Sequence, residues 1–131
     1  MLDIFEQYAT DDTLENDGTW MEVGDAKFLI ARSGNKKYIR KLSKAVERNK
    51  KQLDRKDDSA DKLSDEIMAT VISETLLLGW EGVAYKGKLL PYTTENAKML
   101  MTHKDFRKQI MELADDFDSF KLNQEKEQGE D

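Results

Sequence analysis

The 131-residue chain has no cysteine, one proline, one histidine and no long hydrophobic run. Lack of cysteine excludes disulfides, thiol nucleophiles and zinc–thiolate sites. With His103 alone, a multi-histidine metal site is excluded as well. No stretch approaches the ~18 uninterrupted apolar residues of a membrane span. The start, MLDIFEQYATDD, lacks the basic segment and apolar run of a secretory signal. A cytoplasmic protein is therefore the expectation. There is no Gly-rich phosphate loop, GxSxG elbow or paired-carboxylate motif, so no enzyme activity, cofactor or metal is expected.

What is present is charge, and it is unevenly distributed. Apolar residues make up 38% and charged residues 37% of the chain, which suits few layers and wide solvated faces. Residues 1–26 hold eight acids and no Lys or Arg. Residues 27–56 hold twelve bases against Glu47 and Asp54, and residues 57–131 hold seventeen acids against nine bases. The overall charge of −6 thus hides an acidic–basic–acidic division, a statement about association rather than fold.

The hydrophobic pattern gives a mainly α protein with a small N-terminal β-hairpin (α+β), about four helices around one core, and flexible acidic termini. Residues 1–18 read as an acidic arm, with Ile4, Phe5, Tyr8 and Leu14 too sparse for more than one helical turn. Residues 19–120 form the domain. Its two β-favouring runs, TWMEV and AKFLI, meet at Gly24-Asp25, with Trp20 and Phe28 covering part of the core. A two-stranded pair is marginal alone and must lie against a helix. Asn35 can cap a basic helix to about Arg55, whose Ile39, Leu42, Val46 and Leu53 form one apolar stripe. A central helix then begins at Asp61 or Ser64 and is ended by Gly79. Short β-like arms flank Lys86-Gly87, Thr93 caps a helix from Thr94, and a last helix carries Phe106, Ile110, Leu113, Ala114 and Phe117. Residues 121–131 are a disordered polar tail with almost no apolar content.

Each group with chemical potential has a plainer reading beside it. Asp115, Asp116 and Asp118 suggest a cation site, but helical neighbours one apart diverge and no EF-hand spacing accompanies them; a solvated face is the stronger reading. His103 has no nucleophile or second imidazole near it in sequence. Met68, Met99, Met101 and Met111 fill cores as readily as they form adaptable surfaces. Trp80 is a core plug with its N–H satisfied locally, or an exposed hot spot. The basic helix 36–56, with Lys37, Arg40, Lys44 and Arg48, is the alternative of substance: a small nucleic-acid-binding or regulatory protein. Against it stand the net acidity and the scarcity of aromatics beyond Tyr38.

Two blocks carry a family resemblance. The first is GTWMEVGDAKFLIARSGNKKYIRKL, Gly18 to Leu42; the second is LLLGWEGV followed by LLPYTTENAKMLM, within Leu76 to Met101. Together they resemble the tail assembly chaperones of long, non-contractile-tailed bacteriophages or prophages. Thr93 and Thr94 stand where that pattern has Ser and Pro. The resemblance spans Gly18 to Phe120 and leaves residues 1–17 and the tail outside. It implies a non-catalytic protein of the host cytoplasm, absent from the finished virion. Such a protein binds the tape measure protein, keeps it soluble and helps recruit the major tail tube protein. Self-association is left open, no membrane is implied, and nucleic acid is not the expected partner. The patch assigned to partners is Trp80, Tyr92 and Met99, with Lys37, Arg40, Lys44 and Arg48 adding electrostatic complementarity.

Overall fold

Three successive backbone N–H groups tie the molecule together. Ala31 donates to the Leu76 carbonyl at 2.9 Å, Arg32 to Glu15 at 2.9 Å and Ser33 to Ala114 at 3.0 Å. These bonds join the ends of four segments in a computed structural model that describes residues 1–122.

Strands β1 (Thr19–Val23) and β2 (Ala26–Ile30) run antiparallel, Met21 opposite Phe28 and Val23 opposite Ala26. Gly24 takes φ +59° at the first turn position, a conformation that two-residue connections between twisted strands require. The expected two-stranded unit is replaced by a three-stranded sheet, because β3 (Leu77–Glu81) pairs with β2. The order is β1-β2-β3, with a bulge where Ile30 faces Leu77 and Leu29 faces Gly79. Met21, Phe28 and Trp80 share the inner face and are buried. Trp20 was expected in the core but remains 49% exposed on the outer face. There its ring lies by Gly79, whose missing Cβ would sit 3.7 Å from the indole. Alternation along β1 puts Trp20 and Met21 on opposite faces, and Met21 takes the core position.

The helices number seven among the described residues, not four. The N-terminal segment is not a plain arm: it holds α1 (Ile4–Tyr8) and α2 (Asp12–Asp17). Their caps explain them. Asp3 accepts from Glu6 N, and Asp11 accepts from Thr13 N and Leu14 N, satisfying donors a helix start otherwise leaves open. The basic helix divides at Asn49 into α3 (Lys36–Arg48) and α4 (Lys50–Leu53), where Asn49 turns its amide back to the Ala45 carbonyl at 2.7 Å. Side-chain bonds to the backbone in this manner compete with helix continuation.

Helix α5 (Asp58–Thr75) starts earlier than expected. Asp57 caps it through Ala60 N at 3.0 Å while receiving the Ser59 hydroxyl at 2.6 Å; the Ser59 bond first, then the backbone bonds, hold its carboxyl below the ordinary range. The helix also ends earlier, before Leu76–Gly79, because those residues complete the sheet against β2. Gly79 is thus a strand residue rather than a helix stop. Beyond it, β4 (Ala84–Tyr85) and β5 (Lys88–Leu89) form a small second sheet, turned by positive φ at both Lys86 and Gly87. Helices α6 (Thr94–Leu100) and α7 (Lys104–Ala114) follow. Phe117 lies past the end of α7, in a 3-10 turn with Phe120. Lys121 then bridges to Thr10, so the expected tail begins with an ordered contact; its remainder, 123–131, lies outside the described residues.

The core fills the space between the sheet's inner face and α5, α6 and α7. Ile30, Ile72, Leu76, Leu77, Met101, Ile110 and Phe120 are fully buried, and the Phe28 and Phe106 rings meet at 5.7 Å. Buried Ser73 and Thr75 donate to the carbonyls of Thr70 and Val71 within α5, so these hydroxyls do not disturb the apolar layer. Leu77→Ala is expected to lower the unfolding free energy by about 2–5 kcal/mol in urea titration. Leu89→Ala, at an exposed edge, should stay within about 0.5 kcal/mol.

Candidate partner-binding site

The two groups of residues assigned to partners have opposite fates. Trp80 is only 7% exposed. Its indole N–H donates to the Leu90 carbonyl at 2.8 Å, and the Tyr92 hydroxyl donates to the Leu77 carbonyl at 3.0 Å. The two rings meet edge-on at 5.0 Å, an orientation that sets the positive edge of one against the negative face of the other. Thr93 caps α6 through Asn96 N at 2.9 Å, and the Asn96 amide reaches the Pro91 carbonyl at 2.9 Å. Trp80 and Tyr92 therefore lock the 82–93 segment to the sheet, and Met99 is half-buried against the same core. They hold a shape together and present no exposed aromatic patch.

The basic residues do face solvent. Lys37, Arg40, Lys44 and Arg48 are all exposed on α3, and their spacing of three, four and four puts them on one face. None of the four takes part in an ion pair among the described residues, whereas Lys41 meets Glu74 at 2.7 Å on the side turned to α5. Asn35 starts the helix by accepting from Tyr38 N at 2.9 Å. Tyr38, not Ile39, is the buried anchor. Burial, then the Asp115 charge, pushes its phenol above the ordinary value. No acid lies in the first turn of α3, and Lys36 and Lys37 at the positive end of a helix oppose its dipole. Helix stability does not account for this concentration of charge.

The expected apolar stripe on this helix splits. Leu42 and Ala45 turn inward, while Ile39 and Val46 are 52% and 43% exposed. Seven residues apart, those two form a ridge beside the cationic face. Sequence reading assigned them to the core because they share a period with Leu42. The buried tyrosine one position earlier rotates the helix and turns them out.

Other exposed groups went unassigned in the sequence. Leu2, Ile4, Phe5 and Tyr8 are exposed, although Tyr8 still meets the Phe117 ring at 6.0 Å. Asp3 followed by Glu6 was the available signal, a start pattern related to the capping box. The acidic cluster is consumed by local bonds: Asp115 receives the Ser33 hydroxyl, Asp116 receives Ser119 at 2.7 Å, and Asp118 meets Lys121 at 3.3 Å. Among the described residues no group of acids and histidines is disposed to hold a metal, and no helix is long and apolar enough to cross a membrane. His103 shares a hydrogen bond with the Tyr85 hydroxyl at 2.8 Å.

Fold and surface define a small mixed α/β protein whose exposed chemistry is a cationic helix face with an apolar ridge beside it. Residues 33–131 match the family described as YdaY prophage protein, and the chain belongs to that family. It is a prophage protein. No curated protein and no solved structure matches the chain.

Trp80→Phe, which removes the bond to Leu90, should destabilise by about 1–3 kcal/mol in urea titration. Burial also pushes the Tyr92 phenol up, with Thr94 opposing through a hydrogen bond. Raised values for Tyr38 and Tyr92 mean that the fold favours the neutral phenols. Their contribution is complete below the unfolded value of about 10 and is lost as pH rises through the raised folded values. Ultraviolet titration should show a late-ionising fraction that Tyr38→Phe and Tyr92→Phe each reduce.

Proposed function

We propose that this prophage protein is a non-catalytic tail assembly chaperone. In this reading it binds the tape measure protein in the host cytoplasm, keeps it soluble, and helps recruit major tail tube subunits. The observation that carries the reading is the exposed Ile39–Val46 ridge on a cationic helix. A long helical client exposes apolar seams that self-associate. A ridge of two aliphatic side chains, bordered by Lys36, covers one short stretch of such a seam and pairs with an acid beside it. Each contact is small. Many copies along one client gain from effective concentration, so coverage does not require tight single sites, and release during tube assembly stays easy. The resemblance supports the same reading, since its two blocks meet in one sheet where Phe28 lies opposite Trp80.

The role assigned to Trp80, Tyr92 and Met99 in this reading is to shape the domain, with contact falling to α3. Co-expression with the tape measure protein is expected to raise the client's soluble fraction and to give co-purification. Ile39→Asp with Val46→Asp should abolish both while leaving the circular dichroism spectrum unchanged, because the replaced side chains are exposed. No gain in client solubility and no co-purification with the unaltered protein would overturn the reading. The alternative, nucleic-acid binding through Lys37, Arg40, Lys44 and Arg48, would instead give a gel shift at low salt that fades steeply as salt rises.

A further inference from the structure

We infer that the cationic stripe of α3 is a docking surface for the acidic N-terminal segment of a second copy of this chain. Two exposed surfaces of opposite sign carry the inference. Residues 1–26 hold eight acids and no Lys or Arg, and among the described residues one of those acids, Glu15, forms an ion pair, with Arg32 at 3.2 Å. Glu6, Asp12 and Asp17 are exposed. Opposite them in charge stand Lys37, Arg40, Lys44 and Arg48, exposed on one face of α3.

Within one copy α2 reaches the start of α3, where Asp12 and Glu15 line a cleft with Lys36, yet none of the four stripe cations pairs with the segment among the described residues. Tyr8 packs on Phe117, and the Thr10–Lys121 bridge holds the segment by the C-terminal turn. The Asp11 N–H donates to the Phe120 carbonyl at 2.9 Å, and the Leu122 N–H donates to the Ala9 carbonyl at 3.1 Å. A second copy can satisfy both surfaces at once. Ile4 and Phe5 are 60% and 70% exposed, so docking also covers apolar area around the paired charges.

Because the surfaces differ, the contact is head-to-tail. Such a contact propagates from copy to copy unless its rotation closes a ring. The stripe is also distinct from the Ile39–Val46 ridge: Arg40 and Lys44 lie roughly 100–140° around the helix from Ile39 at 3.6 residues per turn. The ridge therefore stays available in a docked array. The inference goes beyond the chaperone reading and stands or falls without a client.

The test is sedimentation equilibrium of the full chain alone across a range of concentrations. At about 50 mM salt the mean mass should rise with concentration, and at about 500 mM it should return to the monomer, since screening shortens the reach of exposed charges. One variant reverses the stripe (Lys37→Glu, Arg40→Glu, Lys44→Glu, Arg48→Glu); another reverses the segment (Glu6→Lys, Asp12→Lys, Asp17→Lys) and leaves the caps Asp3 and Asp11 intact. Each alone should weaken association roughly tenfold or more. Mixed together, they should associate again, since each variant's altered surface then meets its complement. A monomer at low salt across all concentrations would overturn the inference. So would association that survives stripe reversal, or a mixture that stays monomeric although both variants show native circular dichroism.

Discussion

The structure depends on the short segment Ala31–Ser33. A chain leaving a strand normally exposes its backbone to water. Here it passes between the end of α5, the end of α7 and helix α2, and each N–H in turn finds a carbonyl from a different one of them. Burying those groups unpaired would cost more than their hydrogen bonds contribute, so the three elements must arrive together. Arg32 reinforces the junction. Its guanidinium meets Glu15 at 3.2 Å and lies 5.7 and 5.8 Å from the Phe117 and Phe120 ring centres. With its side chain only 25% exposed, this cation is screened less than a surface pair. Residues 1–17 and the C-terminal turn are thereby joined to the sheet, although neither holds a large core of its own.

Legibility in the sequence followed the range of the interactions involved. Local chemistry was readable: Asn35 capping α3, Thr93 capping α6, Gly24 turning the first two strands, and the Lys86-Gly87 turn each need only neighbours a few residues away. What failed needed distant partners. Leu76-Leu77-Leu78 continues the apolar period of α5, and nothing nearby distinguishes a last helical turn from a strand. The deciding partner is the open edge of β2, nearly fifty residues earlier in sequence. Pairing satisfies backbone groups on both sides, and tertiary context outweighs helical propensity there. The glycine read as a helix stop is instead a strand residue beside the Leu29 and Trp20 side chains.

The candidate site divides along the same line. Exposure of Lys37, Arg40, Lys44 and Arg48 followed from charge, which rarely tolerates burial. Burial of Trp80 and Tyr92 depended on acceptors at Leu90 and Leu77, and whether a carbonyl is free to accept is a property of the folded sheet. For Trp80 the core-plug reading, with the N–H satisfied locally, was the stronger one in the sequence, and the sheet realises it. Likewise Ile39 and Val46 belonged to the same period as Leu42, and only the burial of Tyr38 fixes the rotation that turns them outward.

Uneven charge is the remaining constraint. Like charges gathered on α3 repel one another, and Lys36 and Lys37 oppose the helix dipole. Interleaving the acids of residues 1–26 with these bases would relieve that strain inside each copy, yet among the described residues no acid of that segment pairs with a base of α3. A surface that stays unfavourable in the isolated molecule becomes favourable only in contact with something of opposite sign. Its cost to the monomer is small for each residue and screened by salt, while its contribution in a contact is multiplied along the stripe. The three-part charge division first visible in the sequence thus matches the association inferred for the α3 stripe.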